Sequence, residues 1–402
     1  MATGSEKFPN MHPVEGFRLA TACAGIKVTD RKDLVLMEIA GGSTAAAVFT
    51  QNKFCAAPVI IAKQHLQQAQ PSYLLINTGN ANAGTGDQGI ADSLSCCQAV
   101  ADATGVNPNQ VLPFSTGVIG EPLPTKTICD AVPKALQQLS DNGWKDAAEG
   151  ILTTDTRPKG ASVQWDINGS TVTVTGICKG SGMIKPNMAT MLGYIATDAS
   201  IDDELLHAAL RKANGKSFNR ITVDGDTSTN DAVVLVATGT SGVEIDESNF
   251  ELFLAQLTDI CVQLAQSIIR DGEGASKFIT VNAEGANNAQ EALSVAYAVA
   301  ESPLVKTALT ASDPNWGRIL AAVGRADVAD LDVSKIQISL NSVLIAENGA
   351  RAASYTEEQG QQIMQAEDIV ITIQLNRGQV NETLWTTDLS YEYVRINAEY
   401  RT

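Results

Sequence analysis

Residues 171–177, Thr-Val-Thr-Val-Thr-Gly-Ile, alternate polar and apolar positions with a period of two, which predicts a half-buried strand. Residues 277–283 and 369–375 also read as strands. Ile369, Ile371, Ile373 and Leu375 share one face of the second, and Asn376-Arg377-Gly378 is the turn that ends it. Leu257, Ile260, Cys261, Leu264 and Ile268 recur at helical spacing and predict a helix that stops near Arg270-Asp271-Gly272. Another helix is expected after Ser200, read as its N-cap. Asp202, Asp203 and Glu204 fall in its first turn, with Leu205, Leu206, Ala209 and Leu210 behind them. Strands and helices alternate without a fixed repeat, and 32 glycines punctuate the joints, so the fold class is α/β or α+β. The glycine-rich connections at 79–89, 180–182 and 272–274 are the loops where chemistry is expected.

The strand at 171–177 runs into Lys179-Gly-Ser-Gly-Met-Ile-Lys-Pro-Asn-Met-Ala-Thr-Met-Leu-Gly193, which has neither a helical nor a strand period. A threonine hydroxyl inside a chain is a weak nucleophile, because nothing adjacent takes its proton. A threonine that begins a chain is different. Its own α-amine, with an ordinary pKa of roughly 7.7–8.0, is a base within reach of its hydroxyl. If the Ala189–Thr190 bond is cut, Thr190 becomes such a residue.

The bulk numbers narrow the alternatives. The 402 residues allow two or three domains or one large α/β unit. With 28 basic and 45 acidic residues the net charge is −17, which argues against nucleic acid and anionic membranes as partners. Seven scattered cysteines without a CxxC pair point to a reducing, cytoplasmic setting with most of the thiols buried. The first residues carry no secretory or Arg-rich targeting pattern, and no run approaches 18 apolar residues. Only three histidines occur, His12, His65 and His207, so triads built on histidine and His-rich metal sites are disfavoured. Gly79-Asn-Ala-Asn-Ala-Gly84-Thr-Gly86 lacks the Gly-Lys-Ser/Thr of a phosphate loop. Asp224-Gly-Asp-Thr-Ser-Thr-Asn-Asp231 lacks the closing glutamate of a calcium loop and reads as a turn with side-chain-to-backbone hydrogen bonds. In Ser115-Thr-Gly-Val-Ile-Gly120 the glycine lets the backbone N–H approach a ligand. The segment is either a plain loop or, with the Thr116 hydroxyl, an oxyanion hole.

Lys179-Gly-x-Gly-Met-Ile-x-Pro-x-Met-Ala-Thr-Met-Leu192 resembles the self-cleavage motif of the ornithine acetyltransferases, whose bifunctional members are also amino-acid acetyltransferases of arginine biosynthesis. Thr153-Thr-Asp-Thr156, Asp224–Asp231, Gly272-Glu-Gly-Ala275, Asp313-Pro-Asn-Trp-Gly-Arg318 and Arg395-Ile-Asn-Ala-Glu-Tyr-Arg-Thr402 extend the resemblance over essentially the whole chain. It implies a DmpA-like αββα sandwich with N-terminal-nucleophile maturation. Residues 1–189 would form an α chain and 190–402 a β chain around one core. It further implies Thr190 as nucleophile, Thr116 and Gly117 as oxyanion hole, and cleavage between Ala189 and Thr190. Thr153, Lys179, Thr190, Glu273, Asn397 and Thr402 would contact the amino-acid substrate, Thr153 being taken from three threonines at 153–156. The implied reaction is ping-pong transfer of acetyl from N2-acetylornithine to glutamate through acetyl-Thr190. Acetyl-CoA is a possible second donor, no metal or bound cofactor is needed, and the assembly is an α2β2 heterotetramer or larger. Lys179 suits a substrate carboxylate and Glu273 an ammonium. The rival readings are a self-cleaving aminopeptidase or hydrolase, and an amino-acid-binding protein that never matures.

Overall fold

The computed structural model describes residues 2–5, 7–185 and 191–399. Two sheets built from residues 17–237 lie face to face. One has four strands in the order Phe17–Ala22, Leu34–Ile39, Tyr73–Asn80 and Val111–Val118. The other has five, ordered Thr44–Phe49, Ala232–Ala237, Leu192–Thr197, Ser170–Lys179 and Lys159–Ile167. Their facing side chains, among them Leu19, Met37, Leu74 and Leu112 against Ile177, Val234 and Val236, form one dry core. Phe114 and Tyr194 meet edge to face across it, with centroids 5.4 Å apart.

Helices cover both outer faces. Ala57–Gln68, Gly86–Thr104 and Thr125–Leu136 place Ile61, Cys97 and Val132 on the four-stranded sheet. Asp203–Lys216 and Phe250–Arg270 place Leu206, Leu210, Leu257 and Leu264 on the five-stranded one. The result is the helix–sheet–sheet–helix layering of an αββα sandwich. Phe250–Arg270 is long and apolar enough by composition to cross a membrane, but here its apolar stripe is a wall of this core. A third sheet of seven strands runs from Ile221–Thr222 through Val380–Thr387, Phe278–Ala286 and Asp368–Gln374 to Gln337–Leu340, Val343–Glu347 and Ala350–Arg351. It builds a second core with helices that include Ala289–Ala300 and Trp316–Gly324.

The structure corrects three expectations. The strand expected to be half-buried is buried on both faces from Val172 to Cys178, because a sheet lies on one side of it and a helix on the other. The N-cap of Asp203–Lys216 is Asp202, whose side chain accepts from the Leu205 N–H. Ser200 instead pairs in a two-residue strand with Glu244–Ile245. The 79–89 segment is mostly regular structure, since a strand ends at Asn80 and a helix begins at Gly86.

Candidate active site

Strand parity delivers the first residues of the site. Side chains two apart on a strand share a face. Phe114 and Ile177 both point between the two sheets, so Thr116 and Lys179, each two residues further on, open into the end of the same space. The Lys179 ammonium donates to Thr116 Oγ1 and to Thr153 Oγ1, each at 3.0 Å. Gly117 has φ +139°, and a Cβ there would lie 2.2 Å from the Gly79 carbonyl carbon, so only glycine fits. The ladder between the two strands shifts register at Gly79/Asn80, directly beside it.

Glu273 is buried, at 6% exposure. Its carboxylate accepts from Asn397 Nδ2 at 2.7 Å, which ties the loop at 272–274 to the C-terminal helix Tyr391–Ala398. Gly182 packs so tightly against it that a Cβ would sit 2.3 Å from Glu273 Oε2. Burial pushes the Glu273 carboxyl up, with Asp224 adding to the rise, while Thr154, Asn397 and the Lys179 charge pull the other way. Thr116, Gly117, Thr153, Lys179, Glu273 and Asn397 line one cavity of about 310 Å³, together with Ser228, Thr229 and Asn230. All six expected site residues that the structure describes therefore meet. Ala189, Thr190 and Thr402 lie outside the described residues. Met191, the neighbour of Thr190 in sequence, lines an adjoining cavity of about 30 Å³ with Thr116, Lys179 and Asp231.

Beneath this cavity lies an ionic cluster that sequence reasoning missed. Lys159 Nζ donates to Asp155 Oδ1 and to Asp271 Oδ2, both at 2.6 Å, with all three side chains at or below 1% exposure. Asp155 also accepts from the N–H groups of Gly180 and Thr153, and Asp271 from the N–H and hydroxyl of Thr156. One buried cation thus joins the three segments that carry Thr153, Lys179 and Glu273. Burial alone would raise the Asp155 carboxyl, but Lys159, Lys179 and the Gly180 N–H hold it well below the usual range. Burial lowers the Lys179 amine, against the opposing charges of Asp155, Asp231 and Glu273. The available signal was adjacency: Asp155 and Asp271 flank the Thr153 and Glu273 segments.

The 224–231 turn does form its side-chain-to-backbone bonds, since Asp224 accepts from Met183, Ile184 and Asp226 N–H groups. It also supplies cavity wall, which its sequence did not suggest. Asn230 Nδ2 donates to Ala81 O at 2.6 Å and Ser115 O at 2.9 Å, pinning the segment that leads into Thr116. The histidines stand apart from the site. His65 is buried, with Nδ1 2.8 Å from Val111 O, and His207 lies 4.0 Å from Asp203 on its own helix.

Fold and cavity define a mixed α/β enzyme that gathers hydroxyls, an ammonium and a carboxyl where its two central sheets meet. The chain belongs to the ArgJ family, whose model matches residues 18–402. It is 60% identical to the arginine biosynthesis bifunctional protein ArgJ of Pseudomonas fluorescens over 100% of both chains. It is 54% identical to that of Methylococcus capsulatus over 97% of this chain and 96% of the other. Among solved structures, the argJ protein of Bacillus halodurans is 39% identical with TM-score 0.48, covering 50% of this chain and 95% of its own. Ornithine acetyltransferase from Mycobacterium tuberculosis, solved with ornithine, is 35% identical with TM-score 0.39, covering 44% and 94%.

Proposed function

We propose that this chain transfers acetyl from N2-acetylornithine to glutamate in arginine biosynthesis, by a ping-pong route through acetyl-Thr190. The observation that carries the reading is the single cavity lined by the Thr116 hydroxyl, Gly117, the Lys179 cation bonded to Thr116 and the Glu273 carboxyl. The names of the full-length relatives, arginine biosynthesis bifunctional proteins, support the pathway and a second activity, for which we propose acetyl-CoA as the donor.

In this reading the precursor cuts itself between Ala189 and Thr190, giving chains 1–189 and 190–402. The freed Thr190 amine then takes the proton of its own hydroxyl, directly or through one water, as Oγ attacks the acetyl carbonyl. The Thr116 hydroxyl and the Gly117 N–H hold the tetrahedral oxyanion. Ornithine leaves with the proton, and glutamate attacks the acetyl-Thr190 ester in the reverse sense to give N-acetylglutamate. Lys179 and Thr153 pair with the substrate carboxylate, and Glu273, positioned by Asn397, with the ammonium. Thr402 completes the substrate contacts. Assembly as an α2β2 heterotetramer or larger belongs to the same reading. So does a cytoplasmic setting, which suits seven unpaired cysteines.

The test is a paired assay. N-acetylornithine with glutamate yields ornithine and N-acetylglutamate in equal amounts, whereas release of acetate independent of glutamate identifies a hydrolase and overturns the reading. Acetyl-CoA with glutamate, run alongside, reports the second donor.

A further inference from the structure

Self-cleavage poses a chemical problem that the mature enzyme does not have. Before the cut, the Thr190 nitrogen is an amide and cannot serve as base, so another group must take the hydroxyl proton. Lys179 Nζ acts as a donor to both Thr116 and Thr153. Glu273 is engaged by Asn397 and is not among the described residues lining the smaller cavity that Met191 lines. Among the described residues lining the two cavities, only Asp231 presents a buried carboxylate oxygen, Oδ2, without a hydrogen-bond partner. The residue is 3% exposed.

Backbone pairing brings this carboxyl beside Met191. Strands Ala232–Ala237 and Leu192–Thr197 run parallel with Ala232 opposite Leu192. One residue earlier, Met191 O accepts from Ala232 N at 2.9 Å, so Asp231 stands beside Met191, the residue that follows Thr190 in sequence. Neighbouring strands lie about 4.8 Å apart and residues rise about 3.3 Å along them. The 30 Å³ cavity that Asp231 shares with Met191, Thr116 and Lys179 is large enough for a water molecule.

We propose that Asp231 is a further catalytic residue, the base that accepts the Thr190 hydroxyl proton during self-cleavage. This rests on Thr190 being the nucleophile. The Thr190 O–H bond breaks and its proton passes to Asp231 Oδ2, directly or through one water, as Oγ bonds to the Ala189 carbonyl carbon. The C–N bond then breaks, and the nitrogen takes the proton back from Asp231 to become the free amine. One water hydrolyses the resulting ester, restoring the hydroxyl and leaving a carboxylate on Ala189. Asp231 ends as it began, and only water is consumed.

Burial pushes the Asp231 carboxyl well above the ordinary range, against a Ser228 hydrogen bond and the Lys179 charge. The other titratable groups near it are Cys55 and, beyond that thiol, Lys63. A base of this kind is idle when protonated, so cleavage should quicken as pH rises through its elevated pKa.

The test follows the full-length chain from cell-free synthesis, moved to buffers between pH 5 and 9, with fragment appearance read on denaturing gels. Wild type should cleave faster with rising pH and then level off. Asp231→Asn should cleave about 10²-fold slower or more, with no such pH dependence, while keeping wild-type circular dichroism. Asp231→Glu, which retains a carboxylate, should recover part of the rate and its pH dependence. Wild-type kinetics in Asp231→Asn overturn the proposal. If that variant does not fold, a flat wild-type rate from pH 5 to 9 overturns it instead. Thr190→Ala separates the two ideas: fragments from that variant refute the nucleophile, whereas an uncut Thr190→Ala beside a normally cleaving Asp231→Asn refutes only the role of Asp231.

Discussion

Thr116 shows how one side chain is prepared before any substrate arrives. It lines the cavity, and its oxygen accepts from the Lys179 ammonium at 3.0 Å, which strengthens its own O–H as a donor. In the proposed mechanism that hydrogen meets charge that develops only in the transition state. Thr116→Ala should therefore lower kcat by about 10²–10³ with little change in KM, and steady-state kinetics showing the reverse would make Thr116 a binding residue. Gly182 gives the complementary case. A methyl at 182 would displace Glu273 Oε2, so Gly182→Ala should raise KM for the amino-acid substrates more than it lowers kcat. The Glu273 carboxyl itself is pushed above the ordinary carboxylate range, chiefly by burial. Its grip on a substrate ammonium needs the ionised form. KM should accordingly rise as pH falls through that elevated pKa, earlier on acidification than an exposed glutamate would allow.

Thr153, Lys179 and Glu273 reach the site from three separate segments, and what fixes these to one another is the Lys159 cation between Asp155 and Asp271. Lys159→Met would leave two buried carboxylates uncompensated, and urea unfolding should show a loss of roughly 3–5 kcal/mol. The folded-state pKa of Asp155 is depressed and that of Lys159 raised. The stability Asp155 contributes is thus present above the ordinary carboxylate range and lost as pH falls below it. That from Lys159 is present below pH 10.5 and lost as pH climbs past it. The strands at 278–286 and 368–374 and the helix ending at Arg270 were legible in the sequence, because burial on one face imposes a local period. The ionic cluster was not, since Lys159 and Asp271 are 112 positions apart and a charged residue in sequence looks like surface until its partner is known. Ser200 misled for a related reason: its backbone pairs with the chain near Glu244, and the cap passes to Asp202. The six described residues that the motif resemblance named line one cavity, while Asp155, Asn230 and Asp231 lay in the same segments with adjacency alone to separate them from ordinary turn residues.

Across the molecule, the 189–190 junction falls between two strands that pair antiparallel, from Val174 opposite Thr197 to Lys179 opposite Leu192. A cut there falls outside both strands, and the sheet stays held by its ladder and by the cores on both faces. The two chains should therefore co-elute in gel filtration under native conditions and separate only in denaturant; separation in native buffer would contradict the shared core. The central claim is that Thr190, created by self-cleavage, carries the acetyl group. It is tested most directly by the intact mass of the denatured protein after incubation with N-acetylornithine and no glutamate. The account predicts two chains, 1–189 unmodified and 190–402 heavier by one acetyl group that disappears when glutamate is added. A single 402-residue chain, or an acetyl group on residues 1–189, would contradict it.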